Sequence, residues 1–328
     1  MASNQGIVTR EISPVLPPNL QALLAAAPAE ILACTEEVRL RQGRPLLLTA
    51  AGRDIMLTAE GRVTEQAGTA CFITASDIAK AAQLISGSSI YAFEDEIRSG
   101  FITIRGGHRV GITGRAVLES GRVKTIKNIS GFNIRVAREI KGAAEKVVPY
   151  LFNRQAGVFF HTLVISPPGC GKTTLLRDII RQISNGLPAH NITGQTVGLV
   201  DERSEIAGCY RGVPQKDIGI RTDVLDACPK AEGMMMLLRA MAPKVIAADE
   251  IGRREDALAV EEALNAGVKV LTTAHGKDRD DLRQRPVLKE LLAGNVFERL
   301  VILSRSRGVG TVEAVLDCKT GRNLINTR

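Results

Sequence analysis

The stretch Val164-Ile165-Ser166-Pro167-Pro168-Gly169-Cys170-Gly171-Lys172-Thr173-Thr174 constrains this chain more than any other. It reads as an apolar strand, a tight Gly/Pro loop, then Lys-Thr opening a helix, the layout of a phosphate-binding (Walker A) loop. Successive backbone N–H groups in such a loop point inward and form a concave nest, and the helix behind it adds the positive end of its dipole. Lys172 is expected to reach the terminal phosphates, and the Thr173 hydroxyl to bind a magnesium ion. The usual pattern begins with Gly, where this chain has Ser166; Gly169 and Gly171 still supply permissive backbone. The bland alternative is a Gly-rich turn before an ordinary helix, and strand, loop and helix together argue against it.

A loop of this kind needs a strand before it and a helix after it, and the following sequence repeats that alternation. Strands are expected at 161–166, 196–201, 245–249, 268–273 and 300–303, with helices at 171–184, 233–242, 255–266 and 279–292 between them. Pro286 should break the last helix. Such alternation implies a parallel sheet covered on both faces. A final strand is expected at 312–316, then a polar, loose tail. Met235, Leu238 and Met241 have helical spacing and are expected to pack in the core.

The region before the loop reads differently. Short helices are expected at 20–26, from a cap at Thr74 or Ser76, and at 90–97. Strands are expected at 37–48, bent at Gly43 and Pro45, and at 55–57. Gly106-Gly107 between two β-rich runs, 100–105 and 108–112, signals a hairpin, and 132–136 adds a strand. A helix at 143–151 leads into the second region. The expected architecture is therefore a small, mostly antiparallel, arginine-rich α+β domain over 1–140. It precedes an α/β P-loop domain with a parallel sheet over 141–328.

The 328 residues suit two domains, and 45% apolar content allows sizeable cores. Aromatic residues make up 3% and Trp is absent, which argues against a stacking platform for single-stranded nucleic acid. The net charge of +8 suits nucleotide phosphates, an anionic membrane surface or nucleic acid, and does not choose among them. No window is apolar for long enough to cross a bilayer and the first residues lack a signal core, so a cytoplasmic protein is expected. The scattered cysteines form no C-x-x-C pair, which argues against a zinc site and for reduced thiols.

The second half of the phosphate site is Val245-Ile246-Ala247-Ala248-Asp249-Glu250, an apolar strand ending in two acids as in a Walker B motif. Asp249 is expected to hold the metal, and Glu250 to orient and deprotonate the attacking water. Asp201, Glu202 and Glu205 end another strand and either support the site or form a solvated acidic loop. Thr273 and His275 end a further strand, where they either sense the terminal phosphate or are structural.

Taken together, Ser166–Thr174, Asp201–Glu205, Asp249–Arg253 and Thr272–His275 resemble the type II and type IV secretion ATPases. Longer strings are similar to one branch, the stage III sporulation AA family: Glu37–Pro45, Ile104–Gly111, Phe132–Arg135, Arg221–Asp226 and Cys228–Met236. Ser166 at the first loop position agrees with that family's form of the loop. The acidic box Asp-Glu-Arg-Ser-Glu and the shortened His motif depart from the usual secretion form. The resemblance implies a RecA-like fold for the second domain and an ATP- and Mg²⁺-dependent homo-oligomeric ring, hexameric as in the secretion ATPases, working on integral-membrane components at the mother-cell face of a transenvelope complex. It also implies N-domain arginines that approach the phosphates. Arg98, Arg105, Arg109 and Arg135 are the candidates, Arg135 and Arg109 first, with a basic solvated sheet face as the alternative reading. The function expected is an ATP-hydrolysing motor of endospore formation. A nucleic-acid-stimulated ATPase and a nucleotide-gated scaffold are the rivals.

Overall fold

The computed structural model describes residues 5–87 and 100–325. The helix expected at 90–97, and Arg98, lie outside them. The chain divides into two compact units, Met1–Arg138 and Glu139–Arg328.

In the first unit, helices α1 (Pro18–Ala26) and α2 (Ala29–Cys34) lead into strands β1 (Thr35–Arg41), β2 (Leu47–Ala50), β3 (Arg53–Leu57) and β4 (Val63–Thr64). Helix α3 (Ala75–Ile85) follows, then β5 (Phe101–Ile104), β6 (His108–Glu119) and β7 (Arg122–Arg135). Among the described residues they form one antiparallel sheet in the order β4-β3-β2-β1-β7-β6-β5. Strand alternation explains its two faces. Val38 and Leu40 turn into a core with Ile134, Val110 and the buried residues of α1 and α3, while Glu37, Arg39 and Arg41 turn away. Thr74 caps α3 in a capping box with Asp77, as its sequence predicts. The bend at Gly43 separates two paired strands where the sequence suggests one bent strand. Strands β6 and β7 also run well past the expected hairpin, as a two-stranded ribbon over 115–127 beside which no third strand lies among the described residues.

The second unit begins with turns and a 3-10 turn at Val148–Tyr150 where the sequence suggests a helix. Gly142 takes φ +86°, the Ala144 N–H is donated to Asp178 Oδ2 at 2.8 Å, and Pro149 lacks a donor. Two short pairs, β8 (Phe152–Asn153) with β9 (Val158–Phe159) and later β11 (Gly186–Leu187) with β12 (Ile192–Thr193), flank the main elements. These are β10 (Thr162–Ser166), α4 (Lys172–Asn185), β13 (Val197–Asp201), β14 (Thr222–Asp226), α5 (Lys230–Ala240) and β15 (Val245–Ala248). Then come α6 (Arg254–Asn265), β16 (Lys269–His275), α7 (Arg279–Arg283), α8 (Pro286–Ala293), β17 (Arg299–Ser304) and β18 (Thr311–Asp317). The sheet order is β14-β13-β15-β16-β10-β17-β18, parallel except for the antiparallel final pair. Strand β10 is buried on both sides: Val164 joins the core under α4, and Leu163 and Ile165 join the core under α5, α6 and α8.

Pro286 breaks the helix expected at 279–292 into α7 and α8, as the sequence predicts, and begins α8, where its missing N–H costs nothing. Two local expectations change. In α5 the buried residues are Gly233, Met234 and Leu237, with Met241 exposed, so the apolar stripe is one residue out of the expected phase. The tail is anchored as far as Ile325: Leu324 donates its N–H to Val315 O at 2.8 Å, and Leu324 and Ile325 pack on the α4-side core.

His161, just before β10, links pH to the stability of this sheet. Its Nδ1 accepts the Val270 N–H at 3.2 Å, which requires the neutral ring. Burial, and then the Lys269 charge, push its pKa down to about 4, against a smaller opposing pull from Glu298. A lowered histidine pKa means that the unfolded chain takes up the proton first as pH falls. Stability from this group is therefore full above about 6.5 and lost between there and about 4. Urea midpoints from pH 7 to 4.5 should fall less steeply in His161→Gln than in the unaltered protein, and parallel slopes would show that His161 does not carry this dependence.

Candidate active site

The C-terminal ends of β10, β16 and β15 bring the predicted residues of the phosphate loop and the acidic pair together. Ser166 registers with His275, Val164 with Thr273, and Ala248 with Thr272. Parallel strands thus present the phosphate loop, the His motif and Asp249-Glu250 along one edge of the sheet, the usual place for a ligand in open α/β sheets. The intervening strand in space is β16; β13, which intervenes in sequence, lies beyond β15.

The loop Ser166–Thr174 turns through Gly169 (φ +69°) and Gly171 (φ +87°), conformations that favour glycine. Helix α4 starts directly at Lys172 with no side-chain cap, an arrangement that suits an anion at its first N–H groups. Pro167, Pro168, Cys170, Thr173 and Thr174 complete the loop; Cys170 is buried in the α4-side core, which ties the loop to the sheet.

Lys172 is buried, and burial pushes its pKa down against the opposing pull of Asp249 and Glu250. Its Nζ donates to His275 Nδ1 at 2.9 Å, and the other ring nitrogen, Nε2, meets Glu250 Oε1 at 2.8 Å. The second Glu250 oxygen lies 3.4 Å from the Arg203 guanidinium. His275 therefore bridges the phosphate-loop lysine to the predicted base. The Thr273 hydroxyl, fully buried, donates to Asp249 Oδ1 and accepts the Glu250 N–H at 2.9 Å. Glu250 sits at φ +46°, a left-handed conformation uncommon outside glycine, and strain of this kind is found at functional sites.

Asp249 and Thr173 are chemically suited to Mg²⁺ that arrives with a polyphosphate, because Mg²⁺ takes one or two protein oxygens and fills its octahedron with phosphate and water. No cluster of three or more His, Cys, Asp or Glu side chains able to hold a metal by itself occurs among the described residues.

Other predicted residues lie elsewhere. Asp201 is not at the site surface: it is 1% exposed, and its carboxylate accepts the N–H groups of Glu205, Ile206 and Ala207 at 2.9, 3.0 and 2.8 Å. Glu202 pairs with Lys230. Arg109 and Arg135 belong to the first unit, where they face each other across β6 and β7. Arg135 lies 3.6 Å from Glu37, and Arg109 stacks 4.6 Å from the Phe101 ring centroid. Arg105 is exposed on the turn after β5.

Sequence reasoning missed Arg305. Its Nε and Nη2 both donate to Gly169 O, at 3.0 and 2.7 Å, and a Cβ at Gly169 would meet that guanidinium at 2.3 Å. The Gly310 N–H also bonds Cys170 O at 3.1 Å. The turn between β17 and β18 thus holds the outward carbonyls of the phosphate loop. Its signal in the sequence is the cluster Ser304-Arg305-Ser306-Arg307-Gly308-Val309-Gly310, basic and Gly-rich between two apolar strands.

The family profile for sporulation stage III, protein AA, matches residues 9–323. The chain belongs to that family. Stage III sporulation protein AA of Bacillus subtilis (strain 168) is 46% identical over 317 residues, 97% of each chain. The solved structure of the Legionella pneumophila ATPase DotB matches with a TM-score of 0.51 at 17% identity, covering 82% of this chain and 72% of that one. The pilus retraction motor PilT, solved with bound ADP, also gives 0.51, at 12% identity over 82% of this chain and 74% of its own. At such identities the likeness is one of fold, the RecA-like α/β architecture that the sequence predicts for the second unit, with an N-terminal unit before it. No described helix is long and apolar enough to cross a membrane.

Proposed function

We propose that this member of the sporulation family hydrolyses ATP to drive assembly of, or transport by, a transenvelope complex of endospore formation. The observation that carries the reading is the chain Lys172–His275–Glu250 beside a glycine-turned loop at a helix N-terminus. A terminal phosphate bound at Lys172 would sit within reach of a carboxylate poised to take a proton from water. Glu250 serves as that base. His275 orients it and passes the change at Lys172 to it. Thr273 fixes Asp249, which with Thr173 would hold Mg²⁺; the ion would neutralise charge on the phosphate oxygens. Arg109 and Arg135 are assigned the cationic closing role of an arginine finger. The working form is a homo-oligomeric ring, a hexamer, at the mother-cell face of the membrane, acting with integral-membrane components.

Replacing Lys172 with Ala removes the only side-chain cation that the loop itself contributes. ATP affinity, measured by titration calorimetry on the full chain, should fall at least about 100-fold, in line with a lost charge-assisted contact of about 3 kcal/mol. Undiminished ATP binding by a folded Lys172→Ala protein would remove the loop from the mechanism.

A further inference from the structure

The chemistry above uses one flank of the phosphate loop. Lys172, His275, Glu250 and Asp249 all lie toward β16 and β15, so the terminal phosphate belongs on that side of β10. The other flank faces β17 and the turn that leads to β18. There a Cβ on Gly171 would lie 3.4 Å from both Gly310 Cα and Val309 Cγ1. Immediately past this contact a cavity of about 840 Å³ opens, and Gly310 is part of its wall. Arg307 and Val312 line it from the hairpin, Tyr150 from the turn before β8, and His190 from the segment after α4. All these residues belong to the second unit.

We infer that this cavity takes the base and ribose of the nucleotide whose phosphates sit at Lys172, an inference that rests on the ATP-site reading above. A nucleoside is a flat, polarisable ring with polar edges joined to a hydroxylated sugar. The lining offers matching chemistry: Arg307 as a cation for the π face, Val312 as an apolar edge, and Tyr150 and Thr311 as hydroxyl-bearing side chains. Its volume falls within the roughly 300–1,000 Å³ of small-molecule sites. Position argues as strongly as lining. The triphosphate chain runs from Lys172 across the first amides of α4, and the part of the ligand beyond it must leave on the side away from Glu250. The β17–β18 turn is bonded to the loop by Arg305 and Gly310, so it fixes the cavity mouth against the phosphate nest.

The test compares ATP with inorganic tripolyphosphate, which has the same anionic chain and no nucleoside. Val312→Trp fills the cavity and Arg307→Ala removes its cation. Each should weaken ATP about tenfold, the equivalent of one cation–π contact, and leave tripolyphosphate within about twofold of the unaltered protein. Lys172→Ala should weaken both ligands together. An azido-adenine analogue of ATP should label the peptides that contain Tyr150 or Arg307–Val312. Unchanged ATP affinity in both cavity variants, or equal loss of both ligands in both, would overturn the nucleoside assignment while leaving the phosphate site intact. Failure of the unaltered protein to bind either ligand would overturn the phosphate site itself and this inference with it.

Discussion

Glu250→Gln should lower ATP turnover by about 10²- to 10⁴-fold, the usual contribution of a positioned general base, while leaving ATP affinity within a few-fold of the original. The substitution keeps the shape of the side chain and removes its basicity. The backbone at Glu250 should not move. Its N–H is held by the Thr273 hydroxyl at 2.9 Å, and the next N–H, of Ile251, by Thr273 O at 2.9 Å. The amide oxygen can still accept from His275 Nε2, so Lys172 keeps its partner in the imidazole, and only the long Arg203 contact is lost. Phosphate release under steady-state conditions, read beside ATP binding by calorimetry, separates the two effects. A turnover number within threefold of the original would show that Glu250 is not the base. A matching loss of affinity would instead mean that the carboxylate acts by holding the lysine in place.

The line between what the sequence reveals and what it hides follows the range of the interactions involved. The phosphate loop is legible because glycines, a lysine and a threonine at fixed spacing serve one local geometry. The strand–helix alternation is legible because a strand buried on both faces, such as β10, has to be apolar throughout. Strand β14 is hidden because Thr222–Asp226 lies at the sheet edge, half-buried and polar, with no run of apolar residues to mark it. Contacts that join distant segments leave no local pattern at all. Thr273 is readable as a residue at a strand end, but not as the group that holds both Asp249 and the Glu250 backbone. Arg305 sits 136 residues from the carbonyl it grips. Asp201 illustrates the reverse error: an acid at a strand tip near a phosphate loop invites a role in chemistry, and only the fold shows that its oxygens are already occupied.

That occupation makes Asp201 a residue whose loss should damage stability more than chemistry. The Asp201 carboxylate collects three backbone N–H groups, from Glu205, Ile206 and Ala207, and folds the chain after β13 back over α4. Arg177, buried on α4, donates to the carbonyls of Glu205 and Ile206 and closes the same loop from the other side. Burial pushes the Asp201 pKa up, and the three amides pull against that shift, so the acid stays in place through its hydrogen bonds rather than through solvation. Asp201→Ala strands these donors, two of them buried, at about 1–3 kcal/mol each before relaxation; a net loss of about 3–5 kcal/mol is expected. Asp201→Asn retains one acceptor oxygen and should lose roughly half as much. Chemical denaturation reads both values, and ATP affinity measured on the folded fraction separates this role from a catalytic one. If Asp201 instead served the metal or the water, Asp201→Asn would abolish turnover with almost no change in the denaturation midpoint. The geometry predicts the opposite order: a large change in stability, and a smaller change at Lys172 and Glu250 that follows from it.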